Sequence, residues 1–158
     1  MDALNLEFRK ADPIDPQYSD LFDRHLKLMY ASSPSCSVHA KPAAGLTGDH
    51  VTFLVVHHGE TPVAMGAVQD LGQGQFEIKS MHVIDACRGR GIARDLLGAL
   101  VAKARERGAT RISLETGSQP VFEPARTLYR AAGFEKCAPF ADYTDDPNSF
   151  YMTLELTD

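Results

Sequence analysis

The sequence predicts a mixed α/β sheet, mostly antiparallel, with helices on both faces. Three observations carry that expectation. Short β-branched and aromatic runs alternate with stretches of helical spacing. Glycine-bearing turns join the middle strands too tightly for anything but antiparallel pairing. One long amphipathic helix then separates the central strand from the next, which is the crossover a parallel neighbour requires.

Taken in order, Leu4 to Arg9 alternates and reads as a first strand, after which Asp12-Pro13 and Asp15-Pro16 interrupt the chain. Tyr18 to Tyr30 has helical spacing through Leu21, Phe22, His25, Leu26 and Met29. Ala31 to Gly48, rich in Ser, Pro, Gly and Ala, reads as a weakly structured connection with room for one short helix. His50 to His57 is a strongly apolar strand, and His58-Gly59-Glu60 turns it into a hairpin partner from Pro62 to Val68. Pro62 is expected at the first residue of that strand, where a missing N–H is tolerated. Gly72-Gln73-Gly74 turns the chain again, into a central strand from Phe76 to Ile84.

The long helix carries Ile92, Leu96, Leu97, Leu100, Val101 and Ala104 on one face, and Arg107-Gly108 gives it a basic last turn and a terminal glycine. Arg111 to Glu115 is a short strand, Pro124 to Ala132 a helix closed by Gly133, and Phe134–Pro139 with Phe150–Leu156 a last strand pair.

At 158 residues the chain suits a single domain spanning 1–158. A formal charge of −5 argues against a nucleic-acid partner and mildly favours a cationic one. No apolar run is long enough for a bilayer, so no membrane partner is expected. Three cysteines without metal-like spacing (Cys36, Cys87, Cys137) fit a reduced, cytoplasmic setting. The six histidines show no recurring spacing on one face, and no metal site is expected.

The stretch with chemical content lies where the central strand meets the long helix. No Ser, Thr, Asp or Asn stands where an N-cap belongs; Arg88-Gly89-Arg90-Gly91 stands there instead. Cations at the positive end of a helix dipole are disfavoured by a few tenths of a kcal/mol each, roughly, unless an anion arrives between them. Free amides, glycines and guanidiniums together suit a phosphate or pyrophosphate. The plainer alternative is a glycine turn flanked by two solvated arginines. A dinucleotide fingerprint fails at its third glycine, where Arg94 stands, and no Gly-Lys-Ser/Thr occurs.

The remaining pattern, Arg/Gln-x-x-Gly-x-Gly/Ala directly after a strand, is met by Arg88, Gly91 and Ala93. With Leu128-Tyr129-Arg130-Ala131-Ala132-Gly133-Phe134 further on, the sequence resembles the GNAT superfamily of acyl-CoA N-acyltransferases, in particular bacterial acetyltransferases of small molecules or amino acids. The resemblance runs from about Thr61 to Phe134 and more loosely to Leu156. It implies a GNAT-like fold and an N-acetyltransferase that moves an acetyl group from acetyl-CoA, as co-substrate, to a small-molecule amine or amino acid by direct attack in a ternary complex. A catalytically silent acyl-CoA-binding module and a protein N-terminal or lysine acetyltransferase stand as alternatives. The family also makes a homodimer a reasonable expectation.

By the same resemblance, Arg88, Gly89, Arg90, Gly91, Ile92 and Ala93 would hold the pyrophosphate. Backbone groups of Met81, His82 and Val83 would align the pantetheine arm and polarise the thioester, or else simply pair with the next strand. Tyr129 would protonate the departing thiolate, or be a packed aromatic. Glu77 stands where several relatives place a general base. Its parity puts it on the face of Lys79, Met81 and Val83 unless a bulge intervenes, and pairing with Lys79 would weaken it as a base. Glu115 is a lesser candidate. Phe122 occupies a place where many relatives carry Asn, with Gln119 the nearest substitute. The acids Asp142, Asp145 and Asp146, with Tyr143, either draw an ammonium toward the acceptor site or are ordinary turn chemistry.

Overall fold

The computed structural model describes residues 5–39 and 42–156. Its elements are β1 (Leu6–Lys10), α1 (Ser19–Ser32), β2 (Val51–His58), β3 (Thr61–Gly72), β4 (Gln75–Val83), α2 (Ile92–Glu106), β5 (Arg111–Gly117), α3 (Glu123–Ala131), β6 (Glu135–Lys136) and β7 (Ser149–Glu155). Among the described residues seven strands form one sheet in the order β1-β2-β3-β4-β5-β7-β6. Every neighbouring pair is antiparallel except β4 and β5, which α2 connects.

Period-two alternation explains why β2 reads as an unbroken apolar run. Leu54 and Val56 face a core shared with Leu96, Leu97 and Leu100 of α2 and Tyr129 of α3. Val51, Phe53 and Val55 face the opposite core, against Leu21 and Phe22 of α1. A strand covered on both faces has no side on which to place polar residues. The helices therefore do lie on both faces, α1 on one and α2 with α3 on the other. No helix among the described residues is long and apolar enough to cross a membrane.

Several expectations need adjusting. The first strand was expected from Leu4, which lies outside the described residues; the observed strand begins at Leu6. The connection after α1 holds two 3-10 turns, Ser35–Ser37 and Ala43–Leu46, instead of one short helix, each opened by a proline at its N-cap. Pro62 is the second residue of β3, and a register shift between Val56 and His57 of β2 accommodates it. The strand expected from Phe134 to Pro139 shrinks to Glu135–Lys136: the Cys137 amide still reaches the Tyr151 carbonyl, and two residues later Pro139 has no N–H to offer.

The most consequential departure lies in β4. Ala67 pairs with Lys79 but Met65 pairs with His82, so the intervening Gly66 is opposed by two residues, Ser80 and Met81. Ser80 takes a left-handed φ of 56°. This bulge reverses the alternation downstream. Glu77 therefore shares its face with Lys79 and His82, toward α1, and the continuous parity with Met81 and Val83 is corrected. Met81 points instead toward Leu100 and Leu96 of α2.

Candidate active site

β4 and β5 pair only over Gln75–Ile78 and Arg111–Leu114, yet β4 continues to Val83 and β5 to Gly117. Beyond the Ile78–Leu114 pair the sheet opens into a wedge. A cavity of about 500 Å³ occupies it. At one end of the cavity are Arg88, Gly89 and Gly91; at the other are Ser37, His39, Glu77 and Tyr143; Met81, His82, Val83 and Tyr129 also line its walls.

The loop after β4 forms because the chain must reverse from strand to helix within a few residues. A 3-10 turn over Asp85–Cys87 begins the reversal, and Gly89 and Gly91 complete it with φ of 78° and 79°, a region that penalises other residues. Gly91 is the N-cap of α2 and offers no side-chain cap. The first bond of the helix runs from the Asp95 amide to the Gly91 carbonyl at 3.1 Å, which leaves the amides of Ile92, Ala93 and Arg94 ahead of the ladder. A Cβ at Gly89 would meet nothing within 4 Å, so a ligand can approach the backbone there.

The guanidiniums have separate tasks. Arg88 braces the turn, with Nη1 2.7 Å from Asp85 Oδ1 and Nε donating to the Val83 carbonyl at 3.0 Å. Arg90 is exposed and does not line the cavity. Arg94 lines it, with a 3.4 Å contact to Asp95 in which both side chains are exposed. These features fit a diphosphate: orphan amides aimed outward, open glycines, and cations on the rim.

On the α1 side, Glu77 Oε2 accepts from the Tyr143 hydroxyl at 2.6 Å and from Lys79 Nζ at 3.0 Å. Both charged side chains are nearly buried, at 4% and 10% exposure. The anticipated Lys79 ion pair is thus formed. Tyr143 is kept protonated, its phenol pushed up by burial and by the Glu77 charge. Glu115 also lines the cavity, and burial, reinforced by the Glu77 charge, raises it to about 7.

Two connecting segments close over this end. The His39 ring meets Tyr143 edge-on at 5.1 Å, and Asn148 Nδ2 donates to Ser37 Oγ at 3.3 Å. From the acidic loop it is Tyr143 and Asn148 that line the cavity; Asp142 and Asp145 are exposed and Asp146 accepts from its own loop at the Asn148 amide. Gln119 is drawn aside to Asn148 at 3.0 Å, while Phe122 lines the wall.

His25 of α1 and His82 of β4 lie with Nδ1 atoms 3.2 Å apart, both buried. Burial, then the partner ring, lowers His25 to about 3; burial, then Arg88, lowers His82 to about 4. Both rings are neutral at pH 7, so one donates through Nδ1 and the other accepts. Sequence spacing held no sign of this pair, whose members are 57 residues apart. Among the described residues no group of three or more metal-ligating side chains is gathered.

Tyr129 projects from α3 into the wedge, 6% exposed and edge-on to Phe134 at 5.9 Å. Burial, then the Glu115 charge, pushes its phenol up, so it holds its proton throughout the neutral range.

A family profile, Acetyltransferase (GNAT) family, matches residues 13–134, which include the wedge, the glycine loop and Tyr129. The chain belongs to the GNAT acetyltransferase family. This acetyltransferase is 41% identical over 140 residues to the uncharacterized N-acetyltransferase YsnE of Bacillus subtilis, covering 89% of this chain and 93% of that one. It is 37% identical over 145 residues to the uncharacterized N-acetyltransferase YedL of Escherichia coli, covering 92% and 91%. A crystal structure of a candidate acyl-CoA N-acyltransferase from Klebsiella pneumoniae superposes with a TM-score of 0.81 at 25% identity, covering 97% of this chain and 99% of that one. The PaiA N-acetyltransferase of Thermoplasma acidophilum, solved with coenzyme A, shares the fold at a TM-score of 0.72 and 13% identity, covering 97% and 100%. The mixed, mostly antiparallel sheet is that of the family, and the protein is an N-acetyltransferase using an acyl-CoA donor.

Proposed function

We propose that this acetyltransferase moves the acetyl group of acetyl-CoA to the amine of a small molecule or amino acid by direct attack in a ternary complex. The observation that carries the reading is one continuous cavity with an anion-ready loop at one end and a roofed, acid-lined chamber at the other. Coenzyme A supplies an activated thioester, and the chain's own groups do the rest. The amides of Ile92 and Ala93, with Gly89, Arg90 and Gly91, receive the diphosphate; Arg88 keeps that loop in shape. Met81, His82 and Val83 present backbone groups along the open edge of the wedge, where a bound arm continues the sheet and an amide polarises the thioester carbonyl. Tyr129, held protonated, donates to the leaving sulfur.

An alkylammonium with a pKa of about 10.4 must lose a proton before it attacks, and a carboxylate on the acceptor side can take it. Glu77 and Glu115 stand there. The contacts of His39 with Tyr143 and of Ser37 with Asn148 roof this end, which favours a small acceptor over a protein segment. The test is a panel of amines, amino acids and peptides scored for free-thiol release from acetyl-CoA, with initial rates measured against both substrates. Intersecting kinetic patterns with a small amine or amino acid are expected. Parallel patterns, or turnover confined to peptides, would overturn the reading.

A further inference from the structure

The two acids of the acceptor chamber differ in what already holds them. Glu77 is committed through one oxygen to both Lys79 and Tyr143. No ion pair engages Glu115 among the described residues, although it is half-buried in the wall of the same cavity. It stands on β5 immediately past the last β4–β5 pair, Ile78 with Leu114, and so at the mouth of the wedge. Alternation along β5 sends Ile112 and Leu114 into the α2 core and Ser113 and Glu115 to the α1 side, the side of Glu77.

The charged and titratable groups around Glu115 are Glu77 and Lys79 from β4, Tyr129 from α3, Tyr143 and Asp146 from the loop before β7, and Tyr151 from β7. Glu115 and Tyr129 line the same cavity, and the Glu115 charge helps to raise the Tyr129 phenol. Charge balance then has a consequence. Among the described residues Lys79 is the chamber's one cation, and Glu77 neutralises it; Arg88 and Arg94 sit at the opposite end. Among the described residues, then, the chamber has a carboxylate without an ion-pair partner to meet an ammonium and no spare cation to meet a carboxylate. Leu28, Met29 and Val38 add an apolar wall.

Building on the acetyl-transfer reading, we propose that Glu115 binds the acceptor's ammonium and takes the proton it loses, and that the acceptors are primary amines without a carboxylate next to the amino group. A Glu115 oxygen accepts a proton from R–NH3+, and the freed lone pair forms the new C–N bond. The thioester C–S bond breaks, sulfur keeps the electron pair and takes the Tyr129 proton, and the second proton of the nitrogen replaces the one Tyr129 gave. The net proton leaves through Glu115 to solvent.

The test uses decarboxylated pairs, namely phenethylamine with phenylalanine, agmatine with arginine, and cadaverine with lysine, on wild type, Glu115→Gln, Glu115→Asp and Glu77→Gln. In at least one pair the amine should exceed its amino acid by 10-fold or more in kcat/KM. Because Glu115 is raised to about 7, wild-type kcat/KM should rise through a limb near that pH. Glu115→Gln should lose the limb and at least 100-fold of kcat/KM while binding acetyl-CoA as tightly as wild type. Glu115→Asp should keep the limb at reduced rate, and Glu77→Gln should keep it too. Amino acids at parity with their amines, no turnover of any amine by protein that binds acetyl-CoA, or a limb that survives in Glu115→Gln would overturn the proposal. Failure of the wild type to bind acetyl-CoA would instead overturn the underlying acetyl-transfer reading, and this proposal with it.

Discussion

Replacing Ala93 by proline isolates the role proposed for the backbone at the head of α2. Ala93 is the second residue of that helix, and the first helical bond belongs to Asp95, so its amide contributes nothing to the ladder. The chain already tolerates proline at the equivalent position of another helix, where Pro124 follows Glu123 at the start of α3. Proline in a first turn removes a donor that the helix does not use. The stability change should therefore be about 1 kcal/mol or less. Binding should suffer more: a hydrogen bond to a charged group is worth roughly 1.5–3 kcal/mol, or about 10- to 100-fold in Kd. Titration calorimetry with acetyl-CoA reads the effect, and Ala93→Val, which keeps the amide while adding bulk, separates the lost donor from crowding. Wild-type affinity in folded Ala93→Pro would refute the assignment of this amide to the diphosphate.

Other consequences follow from neighbouring features. Tyr129→Phe should lower kcat by roughly 10²- to 10⁴-fold with little change in acetyl-CoA affinity; full turnover when chemistry is rate-limiting would exclude the acid role. Arg90→Glu, at an exposed site, should weaken acetyl-CoA several-fold at low salt and much less at high salt, as screening requires, in a titration across ionic strength. Gly117→Ala would drive a Cβ into the Phe122 ring, so it should destabilise by roughly 1–3 kcal/mol in denaturant unfolding, with Phe122→Leu restoring part of the loss. His25 and His82 titrate below their ordinary 6.5 when folded, so between pH 6.5 and about 4 the unfolded chain binds more protons. Stability should hold above pH 6.5 and fall as pH drops through that window, and His82→Gln should flatten the slope of the unfolding midpoint.

What could be read in advance was local. The glycine loop and its helix are contiguous, and a missing N-cap beside two arginines is visible without knowing any other strand. The cores were legible for the same reason, since the α2 spacing repeats within a single element. The acceptor chamber was not. Its Tyr143 hydroxyl meets Glu77 across 66 residues, and His25 reads as one more member of an amphipathic face until His82 arrives beside it. Glu115 stands in the sequence only as a lesser candidate because nothing in its neighbourhood announces that β5 parts from β4 one residue earlier. That β4 bulges at Ser80 is not legible in the sequence, because serine carries no preference for a left-handed φ and the flanking residues alternate as though the strand were continuous.

That one extra residue has a consequence for anyone altering the enzyme. It lets residues 77, 79 and 82 share the chamber wall despite their uneven spacing, while Met81 belongs to the helix layer behind it. Deleting Ser80 would set Met81 opposite Gly66 and keep His82 opposite Met65, so β4 would become a regular strand with both side chains on the walls they hold now. The strand thus carries one spare residue: gene libraries that remove a single codon there keep the pocket wall, whereas removing a second would turn His82 and every later side chain of β4 over.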